Sequence, residues 1–194
     1  AKGDQVAVKA LIDRVAGTLS AFLLVLVAVA VLAAPWVVRL FAPGFSVGSE
    51  QALLATEMLR ITFPYVLFIS LASMAGGILN SYQRFAIPAL SPILLNLAMM
   101  AAALGLAPLM GGSVKALAWG VFAAGILQLG LLVHGAWRNG IMPRLVRPVW
   151  SEDVKRLVTL GVPGVIAGGI TQINILIGTI IATLQNGAVS QLYY

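Results

Sequence analysis

Few residues in this chain can carry acid–base, nucleophilic or metal chemistry. The 194 residues include no cysteine, one histidine and six carboxylates, which removes thiolate metal sites and disulfides. No pair of titratable groups falls at one depth of an apolar run, so general acid–base catalysis lacks its parts and an enzyme is the weakest functional class. His134, beside Gly135 and Trp137 at a helix end, reads as an interfacial side chain before a proton relay. Hydrogen-bonding chemistry remains. Amides and hydroxyls interrupt the apolar runs at Asn80 and Gln83, at Asn96 on one face with Pro88 and Pro92, at Gln128, and at Thr171, Gln172 and Asn174. Polar groups at such depth either bond across helices or line a hydrated cavity, because hydrocarbon offers them no partner. For each amide alone an interhelical hydrogen bond is the first expectation. Thr171, Asn174 and Gly178 share a helical face, which favours a lined cavity there. Close by, Gly161, Pro163, Gly164 and Gly168 are either small residues for helix packing or a place where a helix bends during a conformational cycle.

The elements that must hold these groups are membrane helices. With 60% hydrophobic and 9% charged residues, the chain lies far from the about 25% charge of an average soluble domain. A hydrocarbon core of about 30 Å needs about 20 helical residues. The uncharged runs predict five such spans, at about 15–38, 61–83, 87–107, 116–137 and 157–184. These near-continuous apolar stretches lack the alternation of barrel strands, and a lipid-exposed backbone must satisfy its own hydrogen bonds, so the fold class is an all-α polytopic transmembrane bundle. Nine Lys and Arg fall on one side of these spans (Lys2, Lys9, Arg14, Arg84, Arg138, Arg144, Arg147, Lys155, Arg156) and three on the other (Arg39, Arg60, Lys115). That asymmetry predicts a cytoplasmic N-terminus and, after an odd number of spans, a C-terminus on the opposite face. Trp36, Phe41, Tyr82, Trp137 and Trp150 sit near span ends, where interfacial rings belong.

Between the spans, 138–156 is the one plausible internal boundary, either a linker joining two helical bundles or a basic loop held on anionic lipid. Ser151 with Glu152 and Asp153 predicts a capped helix start. The stretch 153–160 is amphipathic enough to lie on the membrane surface before turning into the last span. The loop 39–60 is expected to hold a short surface helix from Glu50 to Met58. Ser70, Ser73, Gly77 and Ser81 form a continuous small stripe expected to be a helix-packing face. The first fourteen residues read as a polar, mixed-charge stretch, and neither end reads as a natural terminus, so a piece of a larger bundle is expected.

From Arg60-Ile61-Thr62-Phe63-Pro64-Tyr65 through Gly76-Gly77-Ile78-Leu79-Asn80-Ser81-Tyr82-Gln83-Arg84-Phe85 to Pro88, Pro92 and Asn96, the sequence closely resembles the MurJ (MviN) lipid II flippases of the multidrug/oligosaccharidyl-lipid/polysaccharide exporter superfamily. Ala34-Pro35-Trp36, Ala42-Pro43-Gly44-Phe45 and Ala116-Leu117-Ala118-Trp119 extend the resemblance over essentially the whole chain, as family helices three to seven. It implies a two-lobe transporter with 1–137 in the N-terminal lobe, 138–156 as the cytoplasmic interlobe loop and 157–194 opening the C-terminal lobe. It further implies translocation of the undecaprenyl-linked peptidoglycan precursor across the bacterial inner membrane by alternating access. Lipid II, membrane lipids and the remaining helices of the transporter are the implied partners, with no nucleic acid. No cofactor is implied beyond a coupling ion, sodium or proton. Relatives place a sodium-binding Asp on the seventh helix where this chain has Gly178. Asn80, Arg84, Asn96, Gln172 and Asn174 become candidates for the substrate path or its gate, and the headgroup-binding arginines fall outside the chain. The alternatives are a polysaccharide-unit flippase or drug/cation antiporter of the same superfamily, which would need deep acidic residues, and a non-transporting membrane scaffold.

Overall fold

The computed structural model describes residues 2–46, 48–149 and 151–183, and every regular element among them is helical. In chain order these are α1 (Lys2–Leu32), α2 (Ala34–Phe41), α3 (Glu50–Thr62), α4 (Tyr65–Ser81), α5 (Ala86–Ala89), α6 (Ser91–Ala101), a π-helical turn (Ala102–Leu106), α7 (Ala107–Leu109), α8 (Lys115–Arg138) and α9 (Glu152–Thr183). Among the described residues, four stretches are long and apolar enough to cross a bilayer: Ala7–Leu32, Glu50–Ser81, Ala86–Leu109 and Lys115–Arg138. They overlap the first four expected spans, but the first lies nearer the N-terminus, and the second begins at Glu50 and so takes in the helix expected on the surface of the loop 39–60.

Prolines decide where the helices break, because each lacks the N–H that its helix would spend on the carbonyl four residues back. Pro35 leaves the carbonyl of Val31 without that partner, the chain turns at Ala33, and Arg60 Nε donates to the Val31 oxygen instead at 3.4 Å. Pro64 separates α3 from α4, and Pro88 and Pro92 break the third span into α5 and α6 around a turn at Leu90. The π-helical turn directly precedes Pro108.

The chain divides into two compact units, one formed by residues up to 31 with 58–149, the other by 32–57 with the described residues after 149. The first is built around α8, which packs against α4 and α6. Lipid gives apolar helices no hydrophobic reward for associating, so close approach of backbones must supply the contact. A ridge at every fourth residue of α8 does so: Ala116, Gly120, Ala124, Gln128, Leu132 and Ala136 are all buried. A Cβ at Gly120 would lie 2.6 Å from that of Ala102, and one at Gly125 would lie 2.8 Å from the Tyr65 ring. Phe68, Trp119 and Phe122 add edge-to-face pairs at 5.6 and 5.7 Å between ring centres. Ala72, Ala75 and Leu79 of α4 meet Leu132 of α8 in the core, with Ile87 and Ile141 packed against them.

Among the described residues, the small stripe expected to pack α4 is not the face that meets α8. Ser73, Gly77 and Ser81 are exposed, and a Cβ at Gly77 would meet nothing within 4 Å. The neighbouring face, with Ala72, Ala75, Gly76 and Leu79, is buried instead. Small size permits packing on either face, and the apolar Ala and Leu side chains fill the interface where Ser would bring a hydroxyl needing a partner.

The polar, mixed-charge start of the chain is helical from Lys2 and continues without a break into the first span. Lys9 and Asp13, one turn apart in α1, pair at 2.7 Å. The same Asp13 carboxylate accepts the backbone N–H of Arg144 at 2.7 Å, and Lys9 Nζ donates to the carbonyl of Met142 at 2.8 Å. Thr18 Oγ1 donates to the Val149 carbonyl and accepts the Val149 N–H. At Gly17 a side chain would collide with the backbone of Val146. Residues 141–149 thus run as a strap along α1, held by Lys9, Asp13 and Thr18 of that helix.

In the second unit, α2 and α9 touch, and the Arg39 guanidinium lies over the Trp36 ring at 5.4 Å. Ser151 caps α9 through its Oγ, which accepts the Val154 N–H at 3.4 Å. From Glu152 to Thr183 the helix is unbroken, so no turn separates the amphipathic start from the apolar part. It runs through Pro163, with Gly161, Gly164 and Gly168 exposed and open space where their Cβ atoms would be.

Gly120→Ala is expected to destabilise the bundle by about 1–3 kcal/mol, because neither Ala102 nor the α6 backbone can yield. Gly130→Ala, where nothing lies within 4 Å, should gain helix propensity of up to about 1 kcal/mol. Thermal unfolding in one detergent should show the two variants moving in opposite directions.

Candidate functional site

Gln128 is the one polar residue among the buried ones of α8, 2% exposed. An amide there would cost several kcal/mol unpaired, and two neighbours answer it. Its Nε2 donates to the carbonyl of Ser91 at 2.9 Å, and its Oε1 accepts the hydroxyl of Tyr65 at 3.2 Å. One side chain therefore clasps the start of α4, the start of α6 and the middle of α8. This is the interhelical bond expected for a lone amide in an apolar span.

The clasp forms the floor of a cavity of about 500 Å3. Pro88 packs against α4 at Gly76, where a Cβ would lie 3.6 Å from that of the proline, and Pro92 and Gly77 line the space beside them. Tyr65, Ser73, Asn80, Ser91 and Gln128 supply polar atoms; Ile69, Leu95 and Leu132 supply apolar ones. The stripe of small residues on α4 that fails to pack a helix thus gives this cavity Ser73 and Gly77. Such a wall can solvate a polar group passing along α4 without holding it tightly, since it carries no charge.

The expected site residues fall in separate places. Asn80 lines this cavity. Arg84 lines a second one, of about 530 Å3, with Gln83, Phe85, Ala86, Ile87, Arg138 and Asn139. Asn96 is exposed on α6, one turn beyond Pro92, and lines neither. In the other unit, Gln172 edges an apolar hollow of about 310 Å3 with Phe41, Ile173 and Leu176. The side chains of Thr171 and Asn174 lie outside those described. Tyr65 and Ser91 escaped the sequence reading as cavity residues. The signal available for Tyr65 was its place directly after Pro64, at the start of a span.

Helix ends position the second cavity. At the end of α4, Arg84 N–H donates to Leu79 O at 2.9 Å and Gln83 N–H to Asn80 O at 3.0 Å, a Schellman cap that puts Gln83 at φ 61°. The chain after α7 closes the same way with Gly111 (φ 65°), and α8 does so with Gly140 (φ 69°). Those two use glycine, which adopts the left-handed conformation freely. Gln83 does not, and its backbone costs about 1–2 kcal/mol there.

Removing the clasp tests its weight. Gln128→Leu leaves the Tyr65 hydroxyl and the Ser91 carbonyl without this partner, and a loss of about 1–3 kcal/mol is expected. In a double-mutant cycle with Tyr65→Phe, followed by thermal unfolding, the two changes should couple by about 1 kcal/mol; strict additivity would mean that the bond contributes nothing.

With this geometry in place, the chain can be set beside known proteins. The family model described as lipid II flippase MurJ matches residues 1–194. Lipid II flippase MurJ of Burkholderia cenocepacia is 39% identical over 193 residues, an alignment covering 97% of this chain and 37% of the relative. Probable lipid II flippases MurJ of Rhizobium meliloti and Haemophilus influenzae are 40% and 35% identical, covering 94% and 99% of this chain. The chain spans 37%, 35% and 39% of the length of these three curated relatives. A match of this extent leaves one assignment: the chain belongs to the lipid II flippase MurJ family.

Proposed function

We propose that this chain is a segment of a lipid II flippase, a multi-pass protein of the bacterial inner membrane that carries the undecaprenyl-linked peptidoglycan precursor from the inner to the outer leaflet. Membership of the family supports the reading, and the cavity along α4, apolar over most of its wall but carrying Tyr65, Ser73, Asn80 and Ser91, is the structural observation that carries it. A polar headgroup cannot cross about 30 Å of hydrocarbon unaided. A wall that offers Tyr65, Ser73 and Asn80 to one side and apolar surface to the other meets that need while the lipid tail stays outside. Flipping makes and breaks no bond in the substrate, in keeping with a chain so poor in titratable groups.

In this reading α9 is the fifth span and opens the second of two lobes, with 1–137 belonging to the first and 138–156 crossing between them on the cytoplasmic face. The N-terminus is cytoplasmic and the C-terminus periplasmic. Asn80 lines the path, Arg84 stands at its cytoplasmic gate, and Asn96, Gln172 and Asn174 face the moving substrate in other states of the alternating cycle. Gly161, Pro163, Gly164 and Gly168 let α9 flex, since the proline removes a backbone bond and the glycines add no side-chain restraint. The membrane potential or a gradient of sodium or protons resets the cycle.

A chimera tests this directly. With residues 1–194 in place of the matching segment of the Burkholderia cenocepacia relative, flippase-depleted cells should resume growth, and proteoliposomes should move labelled lipid II. Asn80→Leu in the chimera should slow that movement about tenfold, the loss expected for one polar contact. A folded chimera that neither restores growth nor moves lipid II would refute the proposal.

A further inference from the structure

The cavity holding Arg84 and Arg138 has features that a gate does not require. Arg84 and Arg138 both line it, and among the described residues neither guanidinium has a carboxylate or hydrogen-bond partner. Most carbonyls in the last turns of α4 and α8 are already taken: Leu79 O and Asn80 O by the cap of α4, Ala136 O and Trp137 O by that of α8, and Gly135 O by Asn139 Nδ2 at 2.7 Å. Each helix C-terminus contributes about half a negative charge, so two ends offset about one of the two positive charges and the cavity stays positive. Phe85, Ala86 and Ile87 give the same cavity an apolar part of its lining. Tyr82, Phe85 and Trp137 stand exposed at these same helix ends, at 50%, 54% and 65%. Exposed rings of this kind mark the depth of lipid headgroups.

We infer that this cavity binds the phosphate group of a membrane lipid, its two guanidiniums holding the phosphate oxygens and its apolar wall taking the start of the lipid's glycerol and chains. Guanidinium forks match phosphate oxygens two bonds at a time. Gln83 fits the same assignment. It keeps a side chain at a capping position where α7 and α8 are followed by glycine, and that side chain lines the cavity. The inference stands apart from transport and would hold if the proposed substrate were wrong.

The test uses the delipidated protein in neutral detergent, with bound lipid counted by native mass spectrometry. Phosphatidylglycerol should be retained, and diacylglycerol of the same chains should not. Arg84→Gln with Arg138→Gln should lower retention at least about tenfold, the effect of losing one strong charge-assisted contact. Arg147→Gln, on the exposed strap, should leave it unchanged. Gln83→Gly should raise the unfolding temperature of the lipid-free protein yet lower retention several-fold, a split that a purely structural role would not produce. Should the arginine variants fail to fold, the unaltered protein still decides: a lipid with a photoreactive phosphate headgroup should label peptides containing Arg84 or Arg138. Equal retention by parent and double variant, an equal loss in Arg147→Gln, displacement of the lipid by millimolar inorganic phosphate, or labelling confined to other peptides would each overturn the inference.

Discussion

Close backbone contact along one ridge of α8 is the interaction on which the first unit depends. Water cannot drive these helices together inside a membrane, so the energy must come from dispersion between surfaces that fit, and from the few hydrogen bonds the interface can close. Gly120 brings α8 close to Ala98, Met99 and Ala102, the buried Ala116, Ala124, Leu132 and Ala136 continue the ridge to either side, and Gln128 is its single polar member. A side chain larger than alanine early in the ridge would push α6 away. The cavity walls would then separate, and the bonds to Ser91 and Tyr65 would open together.

Backbone groups released by proline are reused. The Val31 carbonyl, freed by Pro35, accepts from Arg60. Pro88 and Pro92 break the third span into short helices, and both line the space beside α4. The same economy governs the ends. Schellman caps satisfy the final carbonyls of α4 and α8 from the main chain, so Arg84 and Arg138 are not consumed in capping and stay available to the cavity between those ends. Fold and proposed chemistry are therefore set by where backbone hydrogen bonds fail and what replaces them.

Much of this was legible in the sequence because lipid enforces simple rules. Four spans follow from uncharged length alone, and Gln128 reads as an interhelical bond because a lone amide in a 24-residue apolar helix has few other fates. Other features were hidden. Which face of α4 packs depends on α8, and Ser73 and Gly77 share the small-residue signature of a packing stripe while lining a cavity. The helical start of α1 and the strap along it depend on Asp13 and Thr18 meeting backbone more than 130 positions away, which no local pattern announces. The pairing of Arg84 with Arg138 is of the same kind, since 54 positions separate them and only the antiparallel course of the spans brings their helix ends together.

The central claim is that a water-accessible wall runs along α4 inside an otherwise apolar bundle. The absence of cysteine from the sequence makes single-cysteine labelling clean. Cysteines placed at Ser73, Gly77 and Asn80, and at the exposed apolar positions Leu97 and Leu104, should be treated in intact membranes with a water-soluble thiol reagent that does not enter lipid. The first three should react and the last two should not. If Gly77 and Asn80 positions prove as unreactive as Leu97, the wall faces lipid or protein, and the account of this segment as part of a hydrated path is contradicted.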